Sequence, residues 1–278
     1  MSNKYIMTDD TINVNGVTLH RIKALRTFGD INNGDMGGFI LSEKNLSHDG
    51  DAWVFGNAEV SGNAEVSGNA EVCGNAEVSG NAKVCGDAWV SGNAEVSGNA
   101  EVFGNARVFG DAEVFGNAEV SGDAEVYGDA KVSGNAEVSG NAEVYGDAKV
   151  SGNAEVCGDA KVYGNAEVFG NAEVSGDAEV SGNAEVSGNA KVCGDAWVSG
   201  NAEVCGDAKV SGNADYIVFK NWWSSGRHFT WTRSNNMWKV GCFSGIGEAL
   251  VKKAYEDSEL SGREYERVVN YVKSILNN

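Results

Sequence analysis

Between Gly50 and Ala214 the chain repeats one six-residue phrase, Gly-Asn/Asp-Ala-x-Val-y, without insertion, and valine falls on every sixth residue from Val54 to Val210. Few architectures accept that period. Alternation within each hexad sends Ala and Val to one side of a short extended segment and x and y to the other. Gly followed by Asn or Asp supplies the turn, since both types tolerate backbone angles closed to most side chains. So short a strand cannot bury its valine alone, so the hexads must stack and share one continuous core.

The aromatic residues give the coil size. Trp53, Trp89 and Trp197 are separated by multiples of 18, as are Phe55, Phe109, Tyr127, Tyr145 and Tyr163. Three hexads therefore complete a coil, and these residues share one side of a triangular prism. Ser79–Val96 and Ser187–Val204 are identical blocks 108 residues apart, a duplication by whole coils that a three-sided prism accommodates. Nine coils at the β spacing of about 4.8 Å predict a rod roughly 43 Å long.

The hexad, with an aliphatic residue and a small residue four positions later, resembles the repeat of left-handed β-helices, the prism of many bacterial acyltransferases. The expected fold is mainly β: a left-handed parallel β-helix of about nine 18-residue coils over residues 50–214, an N-terminal β cap over 1–49, and a small C-terminal β-plus-α domain over 215–278. A rod of this kind leaves unpaired strand edges at both ends, and the flanks read as their covers. Before the array, Ile12–Val14 and Val17–Leu19 flank Asn15-Gly16, a hairpin turn signal. After it, Tyr216–Trp223, Arg227–Arg233 and Met237–Phe243 read as three strands. Helices are expected over Gly247–Asp257 and from a capping box at Ser261–Glu264, the second carrying Tyr265, Val268, Val269, Val272 and Leu276 on one stripe.

The segments Leu19–Arg26, Gly37–Ile40, Asn45–Ser47 and Gly50–Trp53 are similar to the entry segment of YdcK-type hexapeptide proteins of bacteria and prophages. That resemblance implies a bacterial or phage source and carries no established chemistry.

Charge narrows the function. The chain has a net charge of -19, no proline and no apolar run long enough to span a bilayer. Its first ten residues lack a signal-peptide layout, so a cytoplasmic location is expected. Residues 50–214 hold 17 Glu and 10 Asp against six Lys and one Arg, so nearly all the negative charge belongs to the rod. Direct nucleic-acid binding by the rod and a membrane partner are both disfavoured, and a basic protein is favoured. At 18-residue spacing, Glu101, Glu119, Glu137, Glu155 and Glu173 form an unbroken acidic column, whose mutual repulsion has a stability cost unless something screens it.

Catalytic groups are scarce. Hexapeptide acyltransferases need a general-base histidine, usually beside an extruded loop, but His20, His48 and His228 all lie outside an array that no loop interrupts. No catalytic residue, metal site or cofactor is expected. Cys73, Cys85, Cys157, Cys193 and Cys205 occupy outward y positions with no pair 18 apart, so no disulfide is expected, while Cys242 reads as core. Trp222, Trp223, Trp231 and Trp238 beside Arg227, His228, Arg233 and Lys239 read first as the core of a small cap.

Two partner-binding surfaces are expected: the aromatic face of Trp53, Trp89, Phe109, Tyr127, Tyr145, Tyr163 and Trp197, and the acidic column. The leading expectation is a non-enzymatic phage-type rod that engages a basic or aromatic-binding host protein. Self-assembly through a prism face or the C-terminal domain is the second reading, and a degenerate acyltransferase is the third.

Overall fold

A computed structural model describes residues 3–276. Its body is a parallel β-solenoid built from 27 short array strands arranged in three columns of nine. Each strand pairs with the strand 18 residues away, valine against valine, as in Val120↔Val138 and Val138↔Val156. We call the column from Trp53–Val54 to Trp197–Val198 the first face, that from Glu59–Val60 to Glu203–Val204 the second, and that from Glu65–Val66 to Lys209–Val210 the third.

The alternation accounts for the core. Every hexad alanine from Ala52 to Ala208 and every valine from Val54 to Val210 is at most 1% exposed, while most x and y residues are exposed or half-buried. Strand N–H groups donate to carbonyls of the following coil, as in Glu119 N to Ala136 O and Ser121 N to Val138 O, both 2.9 Å. Glycine is required at the corners for two reasons. Gly134, at φ 73°, occupies the left-handed region, and a Cβ there would stand 2.9 Å from the Gly152 backbone of the next coil.

This bonding direction leaves carbonyls open at the first coil and N–H groups open at the last. The N-terminal cap supplies donors. Strand β1 (Tyr5–Val14) and β2 (Val17–Ala24) form the expected hairpin, with Asn15 and Gly16 both at positive φ, and β3 (Met36–Ile40) pairs with β2. The end of β3 also joins the second face in parallel, Ile40 against Val60, and Leu46 bridges Val66, so parallel stacking begins ahead of the repeat and the solenoid reaches about ten turns. Phe39 N donates to Ala58 O at 2.8 Å, and Asn45 Nδ2 donates to Ala64 O at 2.8 Å. The fully buried Lys4 ammonium donates to Ala52 O at 2.8 Å.

The C-terminal cap supplies acceptors, and they are side chains. Trp197 N donates to Asn213 Oδ1, Glu203 N to Thr230 Oγ1, both at 2.8 Å, and Lys209 N to Ser234 Oγ at 2.6 Å. The cap sheet is antiparallel and has four strands, β4 (Tyr216–Lys220), β5 (His228–Thr232), β6 (Met237–Val240) and β7 (Phe243–Ile246), followed by α1 (Gly247–Asp257) and α2 (Glu259–Leu276). Where three strands were expected, Gly241 at φ 55° breaks the third and returns it as β7. Cys242 consequently sits exposed in that turn instead of in the core. The expected capping box is displaced too: α2 starts at Glu259, Ser261 lies within it, and Ser258 Oγ accepts the Ser261 N–H at 3.1 Å. Phe229, Trp231 and Trp238 form the cap core against Leu250, Tyr265 and Val269. No helix among the described residues is long and apolar enough to cross a membrane.

Candidate partner-binding faces

The third face carries the acidic column, and the strand register stacks it as expected: Glu101↔Glu119, Glu119↔Glu137, Glu137↔Glu155 and Glu155↔Glu173. The column is bracketed by cations. Lys83 Nζ lies 2.9 Å from Glu101 Oε1, and Lys191 pairs with Glu173 at the far end. Among the described residues no cation pairs with the three inner carboxylates, Glu119, Glu137 and Glu155, all of which are exposed.

The other cations of the rod are committed in the same way. Arg107 pairs with Glu125 at 3.5 Å, Lys131 with Glu113 at 2.7 Å, Lys149 with Glu167 and Lys161 with Glu143 at 3.0 Å, each with the strand one coil away. Only Lys209 has no such partner among the described residues. Such exposed pairs are individually weak. Their effect here is one of allocation, since the one uncommitted cation, Lys209, lies at the far end of the third face beside Lys191 and away from the inner carboxylates.

The corners add a feature that the repeat conceals. From Asn63 to Asn189 every turn asparagine of one corner donates its Nδ2 to the Oδ1 of the residue 18 further on, ending on Asp207 at 2.9 Å. Between the first and second faces the run Asp111, Asp129, Asp147 interrupts the matching ladder, because a carboxylate has no proton to pass on. Comparing turn residues 18 apart would have revealed both.

The first face gathers the aromatic residues as expected, with one exception. Trp53 is 1% exposed, sealed beneath Phe28 and Tyr5 of the N-terminal cap at ring-centroid distances of 5.4 and 6.2 Å, and so is removed from the partner-binding set. Phe109, Tyr127, Tyr145 and Tyr163 stack at 4.9–5.0 Å with planes within 3° of parallel, and Trp89 continues the stack at 6.3 Å. Parallel stacking along the rod spends each inner ring's faces on its neighbours, so the ladder presents half-buried edges to the exterior. Tyr127 and Tyr163 donate their hydroxyls to Glu143 at 3.0 Å and Glu179 at 2.9 Å, and burial with those carboxylates raises both phenols above their ordinary value. Trp89 Nε1 donates to Cys73 Sγ at 3.1 Å, and Trp197, half exposed, donates to Ser181 Oγ at 3.0 Å. Around Trp89 an open depression of about 710 Å³ is lined by Glu71, Asp87, Asp123 and Glu125, with Arg107 over the indole ring.

The thiols are half-buried along the faces. Burial, then Glu155, pushes Cys157 up to about 11. Of the histidines, His48 stacks on Tyr5 at 4.4 Å and accepts from Lys4 N, His20 Nδ1 lies 3.0 Å from Thr8 O, and His228 borders a groove with Glu185, Glu203 and Arg227. No group of His, Cys, Asp and Glu among the described residues is arranged to hold a metal ion.

Comparison with protein-family models and with curated proteins finds no match to this chain.

Proposed function

We propose that this chain is a non-enzymatic binding rod of phage or prophage type, acting in the cytoplasm as an acidic decoy that occupies a basic surface of a host nucleic-acid-handling or defence protein. The observation that carries the reading is the run Glu119, Glu137, Glu155. These carboxylates stack at β spacing without a cation, while six of the rod's seven cations are engaged elsewhere. A basic groove would relieve their repulsion on binding, so charge complementarity would add both attraction and association rate. Their spacing of about 4.8 Å departs from the 3.4 Å phosphate rise of one DNA strand, which favours a loose electrostatic decoy over close mimicry. The array's lack of histidine and of any inserted loop supports a binding role over acyl transfer.

The test is a triple substitution, Glu119→Gln, Glu137→Gln and Glu155→Gln, which leaves the bracketing ion pairs in place. Capture of a basic protein from a bacterial lysate should weaken and lose most of its salt dependence, with folding unchanged. Equal capture by wild type and variant at every salt concentration would assign the charge to solubility alone.

A further inference from the structure

The cap sheet ends in an open edge. Strand β4 pairs on one side only, with β5, through Ile217↔Trp231 and Phe219↔Phe229. Just outside that span Arg233 N donates to Asp215 O at 2.7 Å, and Asn221 N donates to Arg227 O at 2.8 Å. In an antiparallel ladder, bonded and non-bonded positions alternate. Asp215, Ile217, Phe219 and Asn221 therefore turn their main-chain groups towards β5, whereas Tyr216, Val218 and Lys220 turn theirs outward.

This edge is five residues long, four of them apolar, and none of the four is fully buried. Such an edge templates another strand unless it is blunted. Proline, a bulge and an inward charge are all missing from β4, and Lys220 at its end is the only charge. Beside it, Tyr271 of α2 stands edge-on to Phe219 at 6.4 Å and is 56% exposed, and Ile275, one turn on, is 41% exposed. Apolar surface thus flanks the open edge on the helix side.

We infer that β4 is a homodimer edge: two copies of this chain join their cap sheets through antiparallel β4–β4 pairing centred on Val218. Three features select a second copy over a foreign strand. The outward residues are symmetric about Val218, so a two-fold axis there pairs Val218 with Val218 and Tyr216 with Lys220 without a register shift, using every open main-chain group. That pairing also turns the strand's one cation towards the second copy's rod. Lys220, which has no ion pair among the described residues, is placed opposite the second copy's Tyr216, whose hydroxyl donates to Trp197 O on the last coil of an acidic rod.

The third feature is the side of the rod that follows. A two-fold perpendicular to the joined sheet sets the rods side by side, and the Tyr216–Trp197 contact places β4 against the first face. On that face the outward x positions hold four carboxylates and two cations, against seven and two on the second face and six and three on the third. The least acidic face is the one turned towards the twin, and the acidic column of the third face stays clear of the seam. The inference does not depend on the decoy reading.

The experiment is sedimentation equilibrium of the full chain with two variants. Wild type should sediment at twice the chain mass of 29.1 kDa. Val218→Pro removes an N–H that no strand of the monomer uses, and proline is tolerated at such edges; it should raise the dimer dissociation constant about thirtyfold or more with unchanged circular dichroism. Lys220→Asp, a surface change that spares folding if the proline does not, should weaken the dimer by about tenfold and more so at low salt. A wild-type monomer at high micromolar concentration, or a dimer indifferent to both variants, overturns the inference. The Glu119, Glu137 and Glu155 substitutions should leave the dimer intact, so loss of partner capture and loss of dimerisation read out separately.

Discussion

In the rod, the continuous core between the three faces is built from alanine and valine, and each coil repeats its neighbour's contacts. In the C-terminal cap, a core of Phe229, Trp231, Trp238 and Tyr265 gathers from two strands and a helix and is built once. The rod's main-chain bonds run from coil to coil, whereas at the cap the last coil finds Asn213, Thr230 and Ser234 side chains where a next coil would have been. A periodic structure thus obtains stability from repetition and has no internal reason to stop, while an aperiodic one terminates it with specific side chains. The energetics should differ accordingly: nearest-neighbour and additive along the rod, cooperative within each cap.

The most severe break is a charge in the rod core. Val132→Asp places an uncompensated carboxylate among the Val and Ala of adjoining coils, where no donor exists, at an expected cost of about 4 kcal/mol or more. Limited proteolysis should then cut the central coils while the cap core stays protected. A variant with wild-type melting temperature and proteolytic pattern would mean that the column is not a packed core.

Glycine sharpens the contrast between interior and end. Gly134→Ala combines a left-handed φ with a clash 2.9 Å from the next coil's backbone, whereas Gly200, at φ 69° in the last coil, has nothing within 4 Å. Substitution at Gly134 should cost about 3 kcal/mol. At Gly200 only the conformational penalty, about 1 kcal/mol, should appear in urea melts. Equal costs would show that backbone angle alone, without coil contact, dictates glycine.

The same contrast governs what could be read from the sequence. The 18-residue spacing of Phe109, Tyr127, Tyr145 and Tyr163, and the multiples of 18 that separate Trp89 from Trp53 and Trp197, placed them on one face because in a repeat local pattern and tertiary position are the same information. The acidic column was legible for that reason, and the asparagine ladder was legible in principle. Trp53 carries the same spacing yet is buried, since Phe28 and Tyr5 arrive over it from a segment without periodicity. Lys4 as a donor to Ala52 O, and Thr230 and Ser234 as surrogate carbonyls, depend on where the caps dock, which no local pattern reports. The stacked rings were placed correctly, but that their faces would be spent on one another followed only from their geometry.

A pH titration isolates the N-terminal cap. Burial, with Asp51 partly offsetting it, lowers the Lys4 ammonium from 10.5 to about 8. Below that value the amine is charged in both states and the fold bears the full desolvation cost. Between about 8 and 10.5 the unfolded chain holds a proton that the folded chain has released, so this group makes stability rise with pH by up to about 3 kcal/mol. Burial raises the neighbouring Tyr5 phenol above 10.0, so above that pH the unfolded chain ionises first and stability turns down. Urea melts from pH 7 to 10 should show the rise in wild type and lose it in Lys4→Met. Wild-type and Lys4→Met profiles that coincide over this range would mean that water reaches the amine and that the cap is looser than the rod it closes.

The aromatic ladder offers the finest test, because it belongs to the rod yet resembles a cap core in composition. Tyr127→Phe keeps both stacking faces and removes only the hydroxyl bond to Glu143, a part-exposed contact expected to contribute about 0.5 kcal/mol. Tyr127→Ser, the residue found at most other y positions, also removes contact with Phe109 and Tyr145 and should cost about 2 kcal/mol. If the ladder obeys the rod's nearest-neighbour rule, a double-mutant cycle between Tyr127 and Tyr145 should show coupling of about 1 kcal/mol. The cycle between Tyr127 and Tyr163, two coils apart, should close to within about 0.5 kcal/mol. Substantial coupling across two coils would mean that the stacked rings act as one cooperative unit, and the division between a periodic rod and aperiodic caps would then hold for the backbone but not for the first face.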